Sequence, residues 1–344
     1  MKALNIIGLA VAALSCTSVA TAQDEAKPAA PKIKAIVLMP TEKKPTELTI
    51  ERAEGKDTFV YLQKGTDQEM QMPVASCRPF VIQTPADLAA ALNTYREGDL
   101  AAARKQAASV KKKYAAYAGL PGSPTTVAAL TEISCAVRLQ DWAAAKSLAA
   151  SFPAADSLEG VAAMRVQVAG IMGDISDSPK SLETQKAAIE EILKDKKAAK
   201  AVNSELYGWL RYALGRAYAA QITAEELQGG IPEAKVKAAN EAVDNLCQCV
   251  ASIHGSQAEL PVDALNRSMA ILAAMPAAKA YKAPKEMTKQ AWASAPADFK
   301  DAVAIANLLK TVYAPGEANE LADQLAPLFY NTGKDKPKAE DAAK

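Results

Sequence analysis

Apolar and polar residues alternate in five short runs between residues 33 and 84. Alternation at every second position is typical of a β-strand with one buried face. The apolar positions are Ile36 and Leu38, Leu48 and Ile50, Val60 and Leu62, Met70, Met72 and Val74, and Phe80 and Ile82. Turn-forming residues separate the runs at Pro45, Glu54-Gly55-Lys56 and Gly65-Thr66-Asp67. The pattern predicts five strands in a small barrel or rolled sheet.

The five runs resemble the strand pattern of SH3-like and Sm-like small barrels. The resemblance implies a small β module over residues 33–84. Because a unit of about 50 residues buries too little apolar surface to be very stable alone, we expect this module to pack on the segment that follows.

The spacing of apolar residues changes to a helical period from Pro85, where Pro85 and Asp87 indicate a helix start. Amphipathic segments follow as far as residue 330, and prolines interrupt them in the C-terminal third. We predict a helical domain over residues 85–330, with about ten to twelve helices in antiparallel pairs that form a short solenoid. The expected fold class is therefore mainly α, preceded by the β module.

One stretch of the helical domain is repeated. Residues 91–103 and 133–145 align so that Gly98-Asp99-Leu100 matches Gln140-Asp141-Trp142, and Ala103 matches Ala145. A third, partial copy is Met172-Gly173-Asp174-Ile175, and a fourth helix carries the pattern Leu-Gly-x-x-Tyr at residues 214–218.

These residues resemble the tetratricopeptide repeat, whose period is about 34 residues. In such a turn, glycine permits the sharp bend, aspartate caps the second helix and alanine lets two helices approach closely. The resemblance covers residues 86–250, and it holds for two copies and is degenerate beyond them.

In the resembled repeat, the first helix of each pair lines a concave face that binds a partner. The resemblance therefore implies a partner-binding groove. Its candidate residues are Leu92, Tyr95, Arg96, Ser134, Arg138, Trp209, Tyr212 and Arg216, with Leu88, Leu130 and Val137 on the same face. Arg96 and Arg138 hold equivalent positions and are expected to stack in the groove. Arginine and aromatic side chains dominate the energy of many interfaces. The alternative is that the aromatics are core residues and the arginines are solvated.

The first 22 residues have the pattern of an export signal. Lys2 precedes an apolar run from Ile6 to Leu14, and Ala20-Thr21-Ala22 has the form of a cleavage site. We predict cleavage after Ala22 and a periplasmic or secreted protein without a transmembrane segment. The alternative is a lipoprotein that carries its lipid on Cys16. Residues 23–32 and 331–344 have the composition of a disordered linker and a disordered tail.

Composition excludes several classes of function. The chain has 344 residues, with 40 Lys and Arg against 39 Asp and Glu and a single histidine. This charge balance argues against a general nucleic-acid binder, and one histidine excludes a histidine-rich metal site. Alanine makes up over a fifth of the chain and aromatic residues only 5%. Such a composition favours closely packed helices.

No phosphate-binding loop, dinucleotide fingerprint, nucleophile elbow or zinc-protease motif occurs in the sequence. We therefore predict no catalytic residue, no cofactor and no metal. The remaining candidates have structural interpretations: a helix end for His254 and for Lys111-Lys112-Lys113, a solvated helix face for Glu190-Glu191, and a helix cap for Glu225-Glu226 after Thr223.

Four cysteines remain after removal of the signal. Cys77, Cys135, Cys247 and Cys249 permit three pairings in an oxidising compartment. Cys247 and Cys249 are about 200° apart around a helix, so they are not expected to bond to each other. The favoured interpretation is that these cysteines are buried thiols that pack as small apolar side chains.

Three functions fit these observations. The leading hypothesis is an exported, non-enzymatic scaffold that binds a protein or peptide partner in the cell envelope. An α-helical carbohydrate-active or sugar-binding protein is the second, and it requires two carboxylates about 5 to 10 Å apart across a deep cleft. The third is a structural component of a surface assembly. The oligomeric state stays open.

Overall fold

The computed structural model describes residues 31–330, except residues 64, 67, 154, 175–181, 196–199 and 254–257. This part of the chain is mainly helical, with a five-stranded antiparallel sheet at its N-terminal end. The predicted export signal, Cys16, most of the predicted linker, His254 and the predicted tail lie outside the described residues.

The sheet contains the five predicted strands. They are β1 (Ile33–Val37), β2 (Thr46–Glu54), β3 (Thr58–Leu62), β4 (Glu69–Pro73) and β5 (Phe80–Ile82). Their order is β4-β3-β2-β1-β5, and every pairing is antiparallel.

The sequence pattern gave the wrong buried face for β1. Ile33, Ala35 and Val37 are buried, whereas Ile36 is 40% exposed. Both phases of this segment carry aliphatic residues, and a shift of one residue moves every side chain to the other face. Alternation alone therefore does not determine which phase faces the core.

The described residues form fourteen α-helices. They are α1 (Ala86–Glu97), α2 (Leu100–Lys113), α3 (Pro124–Arg138), α4 (Trp142–Ala150), α5 (Gly160–Gly173), α6 (Leu182–Lys194), α7 (Ser204–Ala219), α8 (Ala224–Gly229), α9 (Val236–Ser252), α10 (Glu259–Ala274), α11 (Pro276–Ala280), α12 (Lys289–Ser294), α13 (Ala297–Leu308) and α14 (Glu320–Leu325). The sequence pattern predicted only ten to twelve helices, because several of the observed helices are only five or six residues long. Segments this short barely show a helical period.

The buried face of the sheet packs against the first three helices. Ile50 and Phe59 of the sheet share one apolar cluster with Leu88 of α1, Val110 of α2 and Ala128 of α3. The sheet and these helices therefore share a single core, as expected for a β module too small to be stable alone.

Tyr117 connects the two parts of that core. Its ring is fully buried, and its hydroxyl lies 3.2, 2.9 and 3.0 Å from the carbonyl oxygens of Ile50, Glu51 and Pro31. Desolvation, with a smaller contribution from the charge of Glu51, raises the pKa of Tyr117 to about 12. The hydroxyl therefore stays protonated and hydrogen-bonds to the backbone of the sheet.

The two aligned turns of the sequence have similar backbone conformations. Gly98 and Gln140 both have positive φ, at 90° and 56°. Asp99 and Asp141 then cap the next helix, each accepting a hydrogen bond from the N–H three residues further on, at 3.0 and 3.1 Å. Their ψ angles are both 76°. Glycine adopts positive φ readily, whereas glutamine does so at a steric cost.

The alanines that follow these turns are fully buried. Ala103 contributes to a small cluster with Leu100 and Cys135, and Ala145 lies in the large helical core beside Trp142. A small side chain at each position lets neighbouring helices approach closely.

Two glycines later in the chain also mark close approaches between helices. A Cβ on Gly173 would lie 2.7 Å from the backbone nitrogen of Lys146, and one on Gly215 would lie 2.7 Å from Cγ of Leu246. Gly173 belongs to the third partial copy, of which Ile175 lies outside the described residues. Gly215 belongs to the Leu-Gly-x-x-Tyr pattern and sets the contact between α7 and α9.

Candidate functional site

Arginine, carboxylate and aromatic side chains meet where α1, α3, α5, α7 and α10 contact one another. We call this group the polar seam. Its members are Tyr95, Ser134, Arg138, Arg165, Glu205, Trp209, Tyr212, Arg216, Glu259, Asp263 and Arg267. Most of the predicted groove residues belong to it.

Helical spacing explains why these residues share one surface. Positions 205, 209, 212 and 216 are separated by three or four residues and lie on one face of α7. Positions 259, 263 and 267 lie on one face of α10 in the same way. α7 contacts α10, and the hydrogen bond from Tyr212 to Asp263 joins these two faces.

The first part of the seam centres on Arg138 at the end of α3. Its Nε and Nη2 donate to the two carboxylate oxygens of Glu259, at 3.0 and 2.7 Å. The guanidinium also lies over the ring of Tyr95, 4.9 Å from the centroid. The Arg138 side chain is only 2% exposed, whereas that of Glu259 is 33% exposed, so only the arginine of this bidentate pair is shielded from water.

The second part centres on Arg165 in α5. Nη1 and Nη2 donate to the carboxylate of Glu205, at 3.2 and 2.6 Å, and Nη1 also donates to Ser134 Oγ at 2.7 Å. The guanidinium lies 5.4 Å from the ring of Trp209. In this pair each side chain is 18% exposed.

The third part centres on the hydroxyl of Tyr212. It donates to Oδ2 of Asp263 at 2.6 Å and accepts from Nη1 of Arg216 at 3.1 Å. Nε of Arg267 donates to the same carboxylate oxygen at 2.7 Å. Burial raises the pKa of Tyr212, and the charge of Asp263 raises it further. The tyrosine is therefore a permanent donor to this carboxylate.

Burial also raises the pKa of Tyr95, although a hydrogen bond with Arg138 lowers it in part. Both seam tyrosines are thus neutral at physiological pH. The charges of the seam are those of its arginines and carboxylates.

Two cavities open beside the seam. The first has a volume of about 290 Å³ and is bounded by residues of α1, α3, α5 and α7. It is lined by Leu92, Tyr95, Val127, Leu130, Thr131, Ser134, Arg165 and Glu205. The second, of about 330 Å³, lies between the end of α7, α8 and α10.

The structure divides the predicted groove residues into three groups. Leu92, Tyr95 and Ser134 line the first cavity together with Leu130. Arg138, Trp209, Tyr212 and Arg216 are buried. Arg96 is exposed and donates to Asn93 at 2.9 Å.

The prediction that Trp209 and Tyr212 lie on an open groove surface is therefore wrong, because both rings are fully buried. The expected stacking of Arg96 and Arg138 is not observed either. Arg138 points to Glu259, while Arg96 bonds within its own helix. The reason is position: α3 is enclosed by neighbouring helices on several sides, whereas this part of α1 faces solvent.

The alternative interpretation, in which the aromatics are core residues and the arginines are solvated, is right for some of these residues and wrong for others. Trp209 and Tyr212 are core residues, as that interpretation holds, but Arg138 and Arg216 are buried rather than solvated.

Sequence reasoning missed Arg165, Glu205, Glu259, Asp263 and Arg267. A signal for them exists in the sequence. Arg165 is the one charged residue of α5, whose other residues are mostly apolar. An isolated charge in such a helix requires a buried partner. The i, i+4, i+8 spacing of Glu259, Asp263 and Arg267 places three charges on one face.

The other candidates from the sequence have structural partners. Glu190 pairs with Lys194 at 2.8 Å, and Thr223 and Glu226 form a capping box. Lys111 to Lys113 form the last turn of α2, where Lys113 pairs with Asp87 at 2.7 Å. All four described cysteines are free thiols, and Cys247 alone of these is not fully buried.

Within the described residues, no group of three or more His, Cys, Asp and Glu side chains is placed to hold a metal ion. In the same part of the chain, no helix combines the length and apolar character needed to cross a membrane. Comparison with protein-family models, with curated proteins and with solved structures gives no match to this chain.

Proposed function

We propose that this protein is an exported, non-enzymatic interaction scaffold, and that it binds a protein or peptide partner in the first cavity. The observation that carries the proposal is the lining of that cavity. Leu92 and Tyr95 come from the first of the two aligned sequence copies, and Ser134 comes from the second. The cavity thus forms where two similar helix pairs meet, which is where helical repeats bind their partners.

The finer architecture is part of this proposal. The shared conformation of the turns at Gly98 and Gln140 supports a solenoid of antiparallel helix pairs similar to tetratricopeptide repeats. The strand order β4-β3-β2-β1-β5, with a register shift in β2, supports a rolled, SH3-like sheet. The export signal predicted from residues 1–22 supports a location in the envelope.

The chemistry of the first cavity suits an apolar side chain presented by a polar backbone. Leu92, Val127 and Leu130 contribute apolar surface to its lining, and the Arg165–Glu205 pair contributes charged groups. Such a site gains affinity by burying apolar surface, while fixed polar groups give it orientation. The phenol of Tyr95 adds an aromatic surface of the kind enriched at binding hot spots.

Val127→Phe tests this proposal, because the larger ring fills part of the cavity without changing charge. Val312→Phe is the matched control, since Val312 is 63% exposed and lies in the π-helical segment Leu309–Tyr313 that continues α13. Tagged wild-type protein and both variants are expressed in the native cell, purified from envelope extract, and their partners are quantified by mass spectrometry.

We expect a partner that co-purifies with the wild type and with Val312→Phe and is lost in Val127→Phe. Thermal unfolding of the three proteins separates loss of binding from loss of fold. Equal recovery of every partner by a folded Val127→Phe variant would overturn the assignment of this cavity as the binding site.

A further inference from the structure

The second cavity is lined by apolar side chains and by polar side chains. Ile222, Leu227 and Ile271 provide apolar walls. Asn266 and Arg267, from successive positions of α10, provide polar atoms. With a volume of about 330 Å³, the cavity is separate from the one that we assign to a protein or peptide partner.

Arg267 has hydrogen-bond donors that have no acceptor among the described residues. Its Nε donates to Asp263 at 2.7 Å, but no described residue accepts a hydrogen bond from Nη1 or Nη2. Its side chain is about one-third exposed, at 35%. The outer edge of the guanidinium therefore presents two parallel N–H donors.

The orientation of Asn266 follows from its neighbour Asn319. Oδ1 of Asn319 accepts from the N–H of Ala322 at 3.0 Å and thereby caps α14. Its Nδ2 must then donate, and it does so to Oδ1 of Asn266 at 2.7 Å. The free end of the Asn266 amide is therefore Nδ2, a donor for which no described residue supplies an acceptor.

Asp263 also lines the cavity and is paired with Arg267 through Oδ2, while no described residue donates a hydrogen bond to Oδ1. Oδ2 accepts from the hydroxyl of Tyr212 at 2.6 Å and from Arg267 Nε. The unused hydrogen-bonding capacity of Asn266 and Arg267 therefore consists of donors, and the complementary ligand group is one that only accepts.

We propose that the second cavity binds a carboxylate attached to a small apolar group. The carboxylate accepts two parallel hydrogen bonds from Nη1 and Nη2 of Arg267, the geometry that guanidinium and carboxylate groups favour. Asn266 Nδ2 donates a further bond. The apolar group lies against Ile222, Leu227 and Ile271, where its burial contributes affinity.

Such a carboxylate has two sources, a free aliphatic acid or the C-terminal residue of a peptide. Hexanoate is the probe for the first and N-acetyl-leucine is the probe for the second. Hexanamide and N-acetyl-leucinamide are the matched uncharged controls. Dissociation constants are measured by ligand-observed NMR on the full chain after removal of the export signal.

Arg267→Met removes the donors and keeps the length of the side chain. Arg104→Met is the matched control, because Arg104 is 31% exposed and also pairs with an aspartate, Asp141, at 2.8 Å. Ala270→Leu narrows the same cavity without removing the donors of Asn266 and Arg267, and so tests the proposal even if Arg267→Met disturbs the fold.

We expect at least one acid to bind about tenfold more tightly than its amide, since a charge-assisted hydrogen bond is worth about this factor or more. Arg267→Met should remove that preference, Ala270→Leu should weaken both acids, and Arg104→Met should change nothing. The acid that binds more tightly identifies the source. Equal affinity for acids and amides, no binding of either acid, or unchanged binding in Arg267→Met would overturn the proposal.

Discussion

The core around the sheet and the polar seam both connect segments that are distant in sequence, but they bury different chemistry. The first joins β1–β3 to α1–α3 through aliphatic and aromatic side chains, with Tyr117 as its central polar contact. The second joins α1, α3, α5, α7 and α10 through paired charges that lie over aromatic rings.

This difference affects how each region responds to change. Apolar packing tolerates substitutions that conserve volume, whereas a buried ion pair depends on the presence of both partners. The comparison predicts that the core around the sheet is sensitive to volume and the seam to charge.

Phe59→Ala should have the largest effect on stability. The ring is fully buried and packs against Tyr61 and Phe80, at centroid distances of 5.8 and 5.2 Å. We expect a loss of about 4 kcal/mol in the free energy of unfolding, measured in urea. Phe329→Ala is the control, because this ring is 37% exposed and should cost under about 1 kcal/mol. Similar losses in the two variants would contradict the description of the sheet core as tightly packed.

Glu259→Gln should have the next largest effect, since it preserves shape but removes the charge that Arg138 faces. Because Glu259 is partly exposed, we expect a loss of about 2 kcal/mol rather than the full cost of a buried unpaired charge. Glu190→Gln is the matched control in an exposed pair with Lys194 and should change stability by less than about 0.5 kcal/mol. If both variants were equally mild, the seam would not differ from ordinary surface ion pairs.

Tyr117→Phe tests the polar contact within the apolar core and should cost about 1 to 2 kcal/mol at neutral pH. The folded protein holds the pKa of Tyr117 at about 12, above the ordinary value of a tyrosine. The resulting stability is fully present below about pH 10 and is lost as the pH rises toward 12. Wild-type stability should therefore fall more steeply than that of Tyr117→Phe over this interval. Parallel curves would show that the hydroxyl is not protected by the fold.

Asp99→Ala and Asp141→Ala should have the smallest effects, of about 1 kcal/mol each, because each removes one helix cap. Asp141 also accepts from Arg104 at 2.8 Å, so its loss should be slightly greater. Comparable losses, measured by thermal unfolding, would support the equivalence of the two turns. A negligible effect at one position would show that the two turns are not equivalent.

The local features of the fold were accessible from the sequence. The five strands follow from alternation, and the caps at Asp99 and Asp141 follow from side chains that accept hydrogen bonds from free backbone N–H groups. The phase of β1 was not accessible, because both faces of that segment contain aliphatic residues.

The candidate site was predictable only in part. Alignment of the two copies placed Tyr95 and Ser134 on the same predicted surface, and both residues line one cavity. The prediction works here because local helix geometry repeats between the copies. It could not place Glu259, which is 121 residues from Arg138 in sequence and meets it only through tertiary packing. Alignment likewise does not reveal whether an arginine such as Arg96 or Arg138 faces solvent, since burial depends on the neighbours of each helix.

The two regions also differ in the order in which they can fold. The apolar cluster around the sheet is built from residues between Ile33 and Ala128, a continuous stretch of chain. The polar seam is incomplete until Glu259 and Asp263 of α10 are present. During synthesis, or after passage across a membrane from the N-terminus, the sheet and α1–α3 can close their core first. The Arg138–Glu259 and Tyr212–Asp263 contacts of the seam can then form only when α10 docks, whereas the Arg165–Glu205 pair does not depend on α10.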